Sequence, residues 1–327
     1  MFQYKLIRDK NYLYFLKNKK IYFNFQIINL NLFNFKYFFF LILYLYFILY
    51  KKYIKKINRI KICLCTIGKS ENRYVREYVE HYKNYGVDKI FLYDNNDITG
   101  ESFDDVLSDF IKNQYIEIIN YRGKKTIQIS MLNDCYKKNA KIYDWFIMFD
   151  MDEFIFLKNH LNLKNYLNNY KFKKCKIINL NRPFHTDNNQ IYYKNEPLSK
   201  RFPNKFYRIT NVKSIIRGHL FNITINSLHR LNYKLKSCNS FGGNNISKPD
   251  FKYYYVDHYY FKSTEEFINK INRGDAYYKD NKKLKFNKIK FYFAFNKITL
   301  EKIIYIENKT HINLTRFRKK ISKINKI

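Results

Sequence analysis

The chain has 327 residues and a formal net charge of +35. That length allows one large domain or two small ones with an ample core, and such a charge would ordinarily point to nucleic acid or an anionic membrane surface. The composition argues against a nucleic-acid partner here, because Lys, Asn, Ile, Tyr and Phe are abundant together while Gly, Pro, Ala and Trp are scarce. Nucleotide bias in the coding sequence produces that joint skew whatever the protein does. Charge is also uneven: Asp9 is the one acid before Glu71, and nothing after Glu307 is acidic while Arg316, Arg318, Lys319, Lys320, Lys323 and Lys326 crowd the end. Basic ends around a more balanced middle read as tails on one globular domain. Five cysteines, an odd number without C-x-x-C spacing, predict neither a disulfide framework nor a zinc site.

The first 60 residues form a basic segment of their own. Tyr37 to Tyr50 is an uninterrupted apolar, aromatic-rich run, extended to membrane-spanning length if it begins at Leu30 and Lys36 snorkels to the headgroups. A single membrane anchor over about 30–50 is expected, its orientation undecided because basic residues flank both sides equally.

From residue 61 strands and helices alternate. Ile62 to Ile67 reads as a strand, with Cys63 and Cys65 sharing one face as small buried hydrophobes. Ser70 is the expected N-cap of a helix running to Tyr85, and Gly86 its C-terminal stop. Val87 to Tyr93 follows as a strand, Phe103 to Asn113 as a helix, Tyr115 to Asn120 as a strand, Ile127 to Asn139 as a helix, and Tyr143 to Phe149 as a strand. This order predicts βαβ units and a largely parallel sheet. The first βα turn, Thr66-Ile67-Gly68-Lys69-Ser70-Glu71, lacks the dinucleotide and P-loop glycine patterns.

The fourth strand carries the most informative feature, Asp150-Met151-Asp152 directly after Trp145-Phe146-Ile147-Met148-Phe149. A run apolar on both faces suits a strand covered on both sides. Carboxylates are tolerable only where it opens into a cleft, and ligands of open α/β sheets bind at the carboxyl ends of strands. Two carboxylates there can hold a hard divalent cation, and the cation a diphosphate.

Several segments in order, KICLCTIGKSENRYVREYVEHYKNYGVDKIFLYDNND, TIQISMLNDCYKK and DWFIMFDMDEFIF, followed by Lys213 to Arg217, His258-Tyr259, Lys262-Ser263-x-Glu265-Glu266-Phe267 and Arg273-Gly274, resemble the nucleotide-sugar domain of GT-A glycosyltransferases. The closest likeness is to the family 92 and family 2-like group, over roughly residues 61 to 275. The resemblance implies an α/β GT-A fold, Rossmann-like and mostly parallel with helices on both faces, preceded by the N-terminal hydrophobic helix and followed over 276–327 by a peripheral helix and basic tail. It implies Mn²⁺ or Mg²⁺ held by Asp150, Asp152 and His258, and a nucleotide-diphosphate sugar, a UDP-sugar by expectation, contacted by Asp94 and Glu71. Lys213 and Arg217 are its candidates for stabilising the departing diphosphate; Lys124 and Lys125 are candidates from their position after the third strand. Asp187, in the Phe184-His185-Thr186-Asp187-Asn188-Asn189 loop, is the candidate base for an inverting attack by a hydroxyl of a glycan, lipid or protein acceptor. The segment Asn181-Arg182-Pro183-Phe184-His185 departs from the family pattern. Independently, Ser263-x-x-Glu266 is a capping box that places His258 on the strand or loop feeding a helix. The alternative reading is a non-catalytic basic protein on this fold, binding nucleic acid or an anionic membrane.

Overall fold

A computed structural model describes residues 5–9, 12–17, 20–26, 32–160, 162–208, 212–232, 234–244, 249–274 and 282–324. The expectations on Leu30 and Lys326 lie outside them. The chain divides into two units, residues 1–58 and 59–327.

The first unit holds three antiparallel strands, β1 (Lys5–Asp9), β2 (Tyr12–Lys17) and β3 (Lys20–Gln26), and helix α1 (Leu32–Asn58). The expected anchor is not supported: among the described residues no helix is long and apolar enough to cross a membrane. The apolar run between Lys36 and Lys51 has fourteen residues, with Tyr37, Tyr44, Tyr46 and Tyr50 among them. At 1.5 Å per residue it reaches only about 21 Å of the roughly 30 Å hydrocarbon thickness.

The second unit is a mixed α/β structure. In chain order it contains β4 (Ile62–Gly68), α2 (Asn72–Asn84), β5 (Lys89–Asp94), α3 (Ser108–Lys112), β6 (Ile116–Asn120), α4 (Gln128–Asn139), β7 (Trp145–Ile147), β8 (Glu153–Leu157), α5 (Leu163–Leu167), β9 (Ile177–Asn181), β10 (Phe184–His185), α6 (Leu198–Arg201), β11 (Lys205–Phe206), β12 (Val212–Arg217), β13 (Ser237–Cys238), β14 (Tyr254–His258), α7 (Thr264–Asn272), α8 (Lys282–Phe295), α9 (Leu300–Thr310) and α10 (Thr315–Ile324). One eleven-stranded sheet runs β11-β10-β14-β9-β12-β7-β4-β5-β6, with β13 beside β9 and β8 beside β14. β6, β5, β4 and β7 form one continuous parallel block and β9, β14 and β10 a second; β12 pairs antiparallel with both β7 and β9 between them, so the sheet is more mixed than its first half suggests.

Strands of the first block bury both faces. Ile62, Leu64, Ile90, Leu92, Trp145 and Ile147 pack against α2 and α3 on one side. Cys63, Cys65, Phe91, Tyr93 and Phe146 meet α4 on the other. Helix α2 ends as expected: Gly86 has φ +81°, its N–H donates to Lys83 O and that of Val87 to Tyr82 O, a Schellman arrangement. Its start differs. Ser70 is left-handed at φ 53°, its N–H donates to Asn96 Oδ1 at 2.7 Å, and Glu71 takes the N-cap position without a side-chain cap.

The absence of disulfides is also corrected. Cys65 is bonded to Cys135 on α4, and Cys175 to Cys238; Cys63 alone is free and buried. An odd count leaves two pairs possible, and partners 70 and 63 residues apart are joined by the fold rather than by local spacing. Toward the C-terminus, α7, α8 and α9 share a core of Phe261, Phe267, Ile289, Tyr292, Ile303 and Ile306. Leu300 and Ile304 of α9 are exposed.

Candidate active site

Strand order reverses between β4 and β7: β5 and β6 lie to one side of β4, while β7 lies to the other. The loops leaving β4 and β7 therefore part above the sheet and open a crevice at their carboxyl ends. Gly68 closes β4 directly under the D-x-D turn. A Cβ there would fall 2.5 Å from Met151 Cε and 2.7 Å from Phe103 Cζ, so only glycine lets Met151 pack down. The turn is closed twice, by Glu153 N–H on Asp150 O at 3.0 Å and Asp150 N–H on Glu153 Oε2 at 3.0 Å. Strand β8 then pairs with β14 and sets His258 opposite Glu153. Tyr259 N–H donates to Asp152 O at 2.8 Å.

These pairings gather Asp152, Glu153 and His258, all buried, with one ligand atom from each within 4.8 Å of the others. His258 Nε2 lies 3.4 Å from Asp152 Oδ1, and its Nδ1 is buried without a hydrogen-bond partner. The expected trio is thus altered by one member. Asp150 turns aside, accepting from Lys213 Nζ at 2.7 Å and Gln128 Nε2 at 2.7 Å, and Glu153 takes its place beside Asp152.

Each carboxylate has a cation of this chain. Lys213, 1% exposed, also reaches Glu153 Oε2 at 3.0 Å; Arg182 pairs with Glu153 Oε1; Lys270 Nζ sits 2.5 Å from Asp152 Oδ2. Burial alone would raise the Asp150 and Asp152 carboxyls, but Lys213 holds Asp150 below its ordinary value, and Lys270 with His258 holds Asp152 well below. Burial wins at Glu153, whose carboxyl is pushed up against the pull of Lys213. Burial, with Arg182 adding to it, drops the His258 imidazole to about 3, so the ring is neutral and keeps a lone pair. Oxygen donors with one neutral imidazole form a set that could hold Mn²⁺ or Mg²⁺.

The cleft has a volume of about 920 Å³ and is lined by seven Lys and Arg side chains against three carboxylates, Glu71, Asp150 and Asp152. Lys69, Lys124 and Lys125 line it from the β4 and β6 loops, and Lys270 and Arg273 from α7. Glu71 is buried between Lys262 at 3.0 Å and Arg273 at 2.6 Å, and these cations outweigh its burial and lower its carboxyl.

Three expected residues are not brought here. Arg217 stands at the far end of β12 from Lys213, its guanidinium 4.2 Å from the Trp145 ring centroid and donating to Cys175 O and Phe172 O. Asp187 is buried against Lys302 and the Tyr292 hydroxyl, tying its loop to α8 and α9. Asp94 does not line the cleft; it accepts from Arg122 at 2.9 Å and from Asn96 N–H at 2.9 Å, while neighbouring Asn95 does line it. Glu153, Arg182 and Lys270 were missed as site residues. Glu153 adjoins the D-x-D and was within reach of sequence reasoning; in a chain this rich in lysine, only the i, i+3 spacing of Lys270 and Arg273 on one helix could have marked Lys270.

The family model described as Glycosyltransferase family 92 matches residues 58–309. A family 92 protein of Ricinus communis is 26% identical over 109 residues, 33% of this chain and 19% of that one. One from Oryza sativa subsp. japonica is 26% identical over 113 residues, 34% of this chain and again 19% of the relative, so the matched segments span about a fifth of these relatives. Among solved structures, S. aureus TarS in complex with UDP-GlcNAc is similar at 12% identity and TM-score 0.37, covering 76% of this chain and 79% of that one. The chain belongs to glycosyltransferase family 92.

Proposed function

We propose that this chain moves a sugar from a nucleotide-diphosphate donor, a UDP-sugar in the first instance, to a hydroxyl of a glycan, lipid or protein acceptor, using a GT-A arrangement and a divalent cation. The observation that carries the reading is the buried Asp152, Glu153 and His258 group, of which Asp152 and His258 line a cation-rich crevice. Mn²⁺ or Mg²⁺ held there would supply Lewis-acid stabilisation of charge growing on the diphosphate. The protein's own groups do the rest: Lys69, Lys124, Lys125 and Arg273 offer the diphosphate positive charge along the walls, and Lys213 keeps Asp150 ionised and fixed. Transfer is read as a single displacement with inversion, which ¹H NMR of the anomeric product tests.

The donor site is tested by melting the full chain with UDP, GDP or CDP, each with and without Mn²⁺, beside Asp152→Asn. A ligand at a hundred times its Kd adds about 2.7 kcal/mol, a rise of roughly 5–10 °C here. A rise requiring both metal and one nucleotide, and absent in Asp152→Asn, is the expected result. No rise with any nucleotide in folded protein refutes the reading and favours a basic binding protein, whose affinity would fall steeply with salt.

A further inference from the structure

The lysines beside the D-x-D differ in how firmly they are held. Lys213 has a side chain 2% exposed and is fixed by two carboxylates, Asp150 and Glu153. Lys270 has a side chain 25% exposed, meets one carboxylate oxygen, Asp152 Oδ2, and donates to Tyr260 O at 3.5 Å. Its ammonium also stands 4.1 Å from the Tyr260 ring centroid, and Tyr260 lines the cleft, so the group has a second resting place within the same wall. Asp150, Asp152 and Glu153 are matched by Lys213, Lys270 and Arg182, three charges against three. A divalent cation arriving alone would leave this group with two uncompensated positive charges and would compete with Lys270 for Asp152. Arriving with a diphosphate, it brings compensating negative charge.

Resting on the donor reading above, we propose that Lys270 is an exchangeable counter-ion: it neutralises Asp152 in the empty cleft and transfers its ammonium to a diphosphate oxygen when the nucleotide and the cation enter together. Lys270 thereby couples the two ligands. It disfavours the bare ion, and it contributes a phosphate contact only once Asp152 has another partner. Lys213, gripped on both sides, stays where it is.

The test is Mn²⁺ binding to the full chain, followed by the loss of the free-ion electron paramagnetic resonance signal, alone and with UDP, GDP or CDP. Wild type is expected to bind Mn²⁺ at least about tenfold more tightly in the presence of the cognate nucleotide, a coupling of ordinary allosteric size. Lys270→Met is expected to bind Mn²⁺ alone about tenfold more tightly than wild type and to lose most of the coupling; Lys270→Arg, which keeps the charge, should stay near wild type. Lys270→Gln serves as a second neutral variant if the Met protein melts early. Unchanged or weaker binding of Mn²⁺ alone by the neutral variants, with nucleotide-dependent binding intact, overturns the role of Lys270 and leaves the donor site standing. Failure of wild type and variants alike to bind Mn²⁺ with any nucleotide overturns both.

Discussion

Replacing Lys213 by methionine tests whether the ion pairs beside the D-x-D hold the crevice together. The side chain is 1% exposed and its ammonium donates to Asp150 Oδ2 at 2.7 Å and stands 3.0 Å from Glu153 Oε2. Removing one partner of a buried pair costs about 3–5 kcal/mol, because a charge is left uncompensated. The loss here should lie near the lower figure, since Gln128 still donates to Asp150 and Arg182 still faces Glu153. At roughly 2–4 °C per kcal/mol for a unit of this size, the melting temperature should fall by roughly 6–12 °C. The pH dependence carries the sharper signature. Without Lys213 the folded-state pKa values of Asp150 and Glu153 rise, so the folded variant binds protons the unfolded chain does not, and its deficit shrinks as pH falls from 7.5 toward 5. In wild type Lys213 holds Asp150 below its ordinary value, and that contribution is lost on acidification through the folded pKa. Thermal melts by near-ultraviolet circular dichroism across this range, with Lys213→Met/Asp150→Asn as the second corner of a cycle, decide it. A fall under 2 °C at pH 7.5, or a deficit that widens on acidification, would refute the reasoning.

His81 Nε2 donates to Ile155 O at 3.0 Å, and burial lowers its imidazole to about 4. Below its unfolded value near 6.5 the unfolded chain takes a proton that the folded chain refuses. Wild type should therefore lose up to about 3 kcal/mol relative to His81→Gln between pH 6.5 and 4; parallel stability curves for the two proteins would count against this. Gly68→Ala forces a methyl into Met151 and Phe103 and should cost about 1–3 kcal/mol and weaken donor binding. Adding Met151→Ala should restore part of both, and a single variant with unaltered melting and affinity would show the close approach to be unimportant. Cys135→Ser opens a bridge of sequence separation 70, for which chain entropy predicts about 4 kcal/mol of lost stability. Thiol titration of the unreduced wild-type protein should find Cys63 alone reactive after denaturation, and more free thiols would contradict both bridges.

The parallel half of the sheet was legible because its strands are apolar on both faces and its helices are punctuated locally. Gly86 ends α2, and Ser263 with Glu266 forms the capping box that opens α7. The second half was not. Strands β10, β11 and β13 have two residues each, too few for any periodicity, and β8 begins at Glu153, whose charge argues against a buried strand until its pairing with Lys213 and Arg182 is seen. Within the crevice, Asp152 and His258, which both line it, are marked out by their neighbours in sequence. Ser70 does not cap α2 because its backbone is left-handed and the helix begins at Asn72 with Glu71 in the N-cap position, and Arg217 stands away from the crevice because a six-residue strand carries Lys213 and Arg217 toward opposite ends.

What separates function from composition in so lysine-rich a chain is burial. Lys213, Lys262 and Lys302 are at most 5% exposed, and each faces an acid distant in sequence: Asp150 and Glu153, Glu71, and Asp187. A buried ammonium without such a partner would deprotonate or unfold the site, so coding bias alone does not place lysines there. The same burial marks Asp187, which does not line the crevice. Its carboxylate pairs with Lys302 and the Tyr292 hydroxyl and its backbone N–H with Asn296, contacts that fasten α8 and α9 to the segment after β10. By contrast Asp152 shares its two oxygens between Lys270, whose side chain is 25% exposed, and a neutral histidine. On the proposed reading, the reactive end of the crevice is marked by this carboxylate, whose partner can leave, more than by the density of positive charge around it.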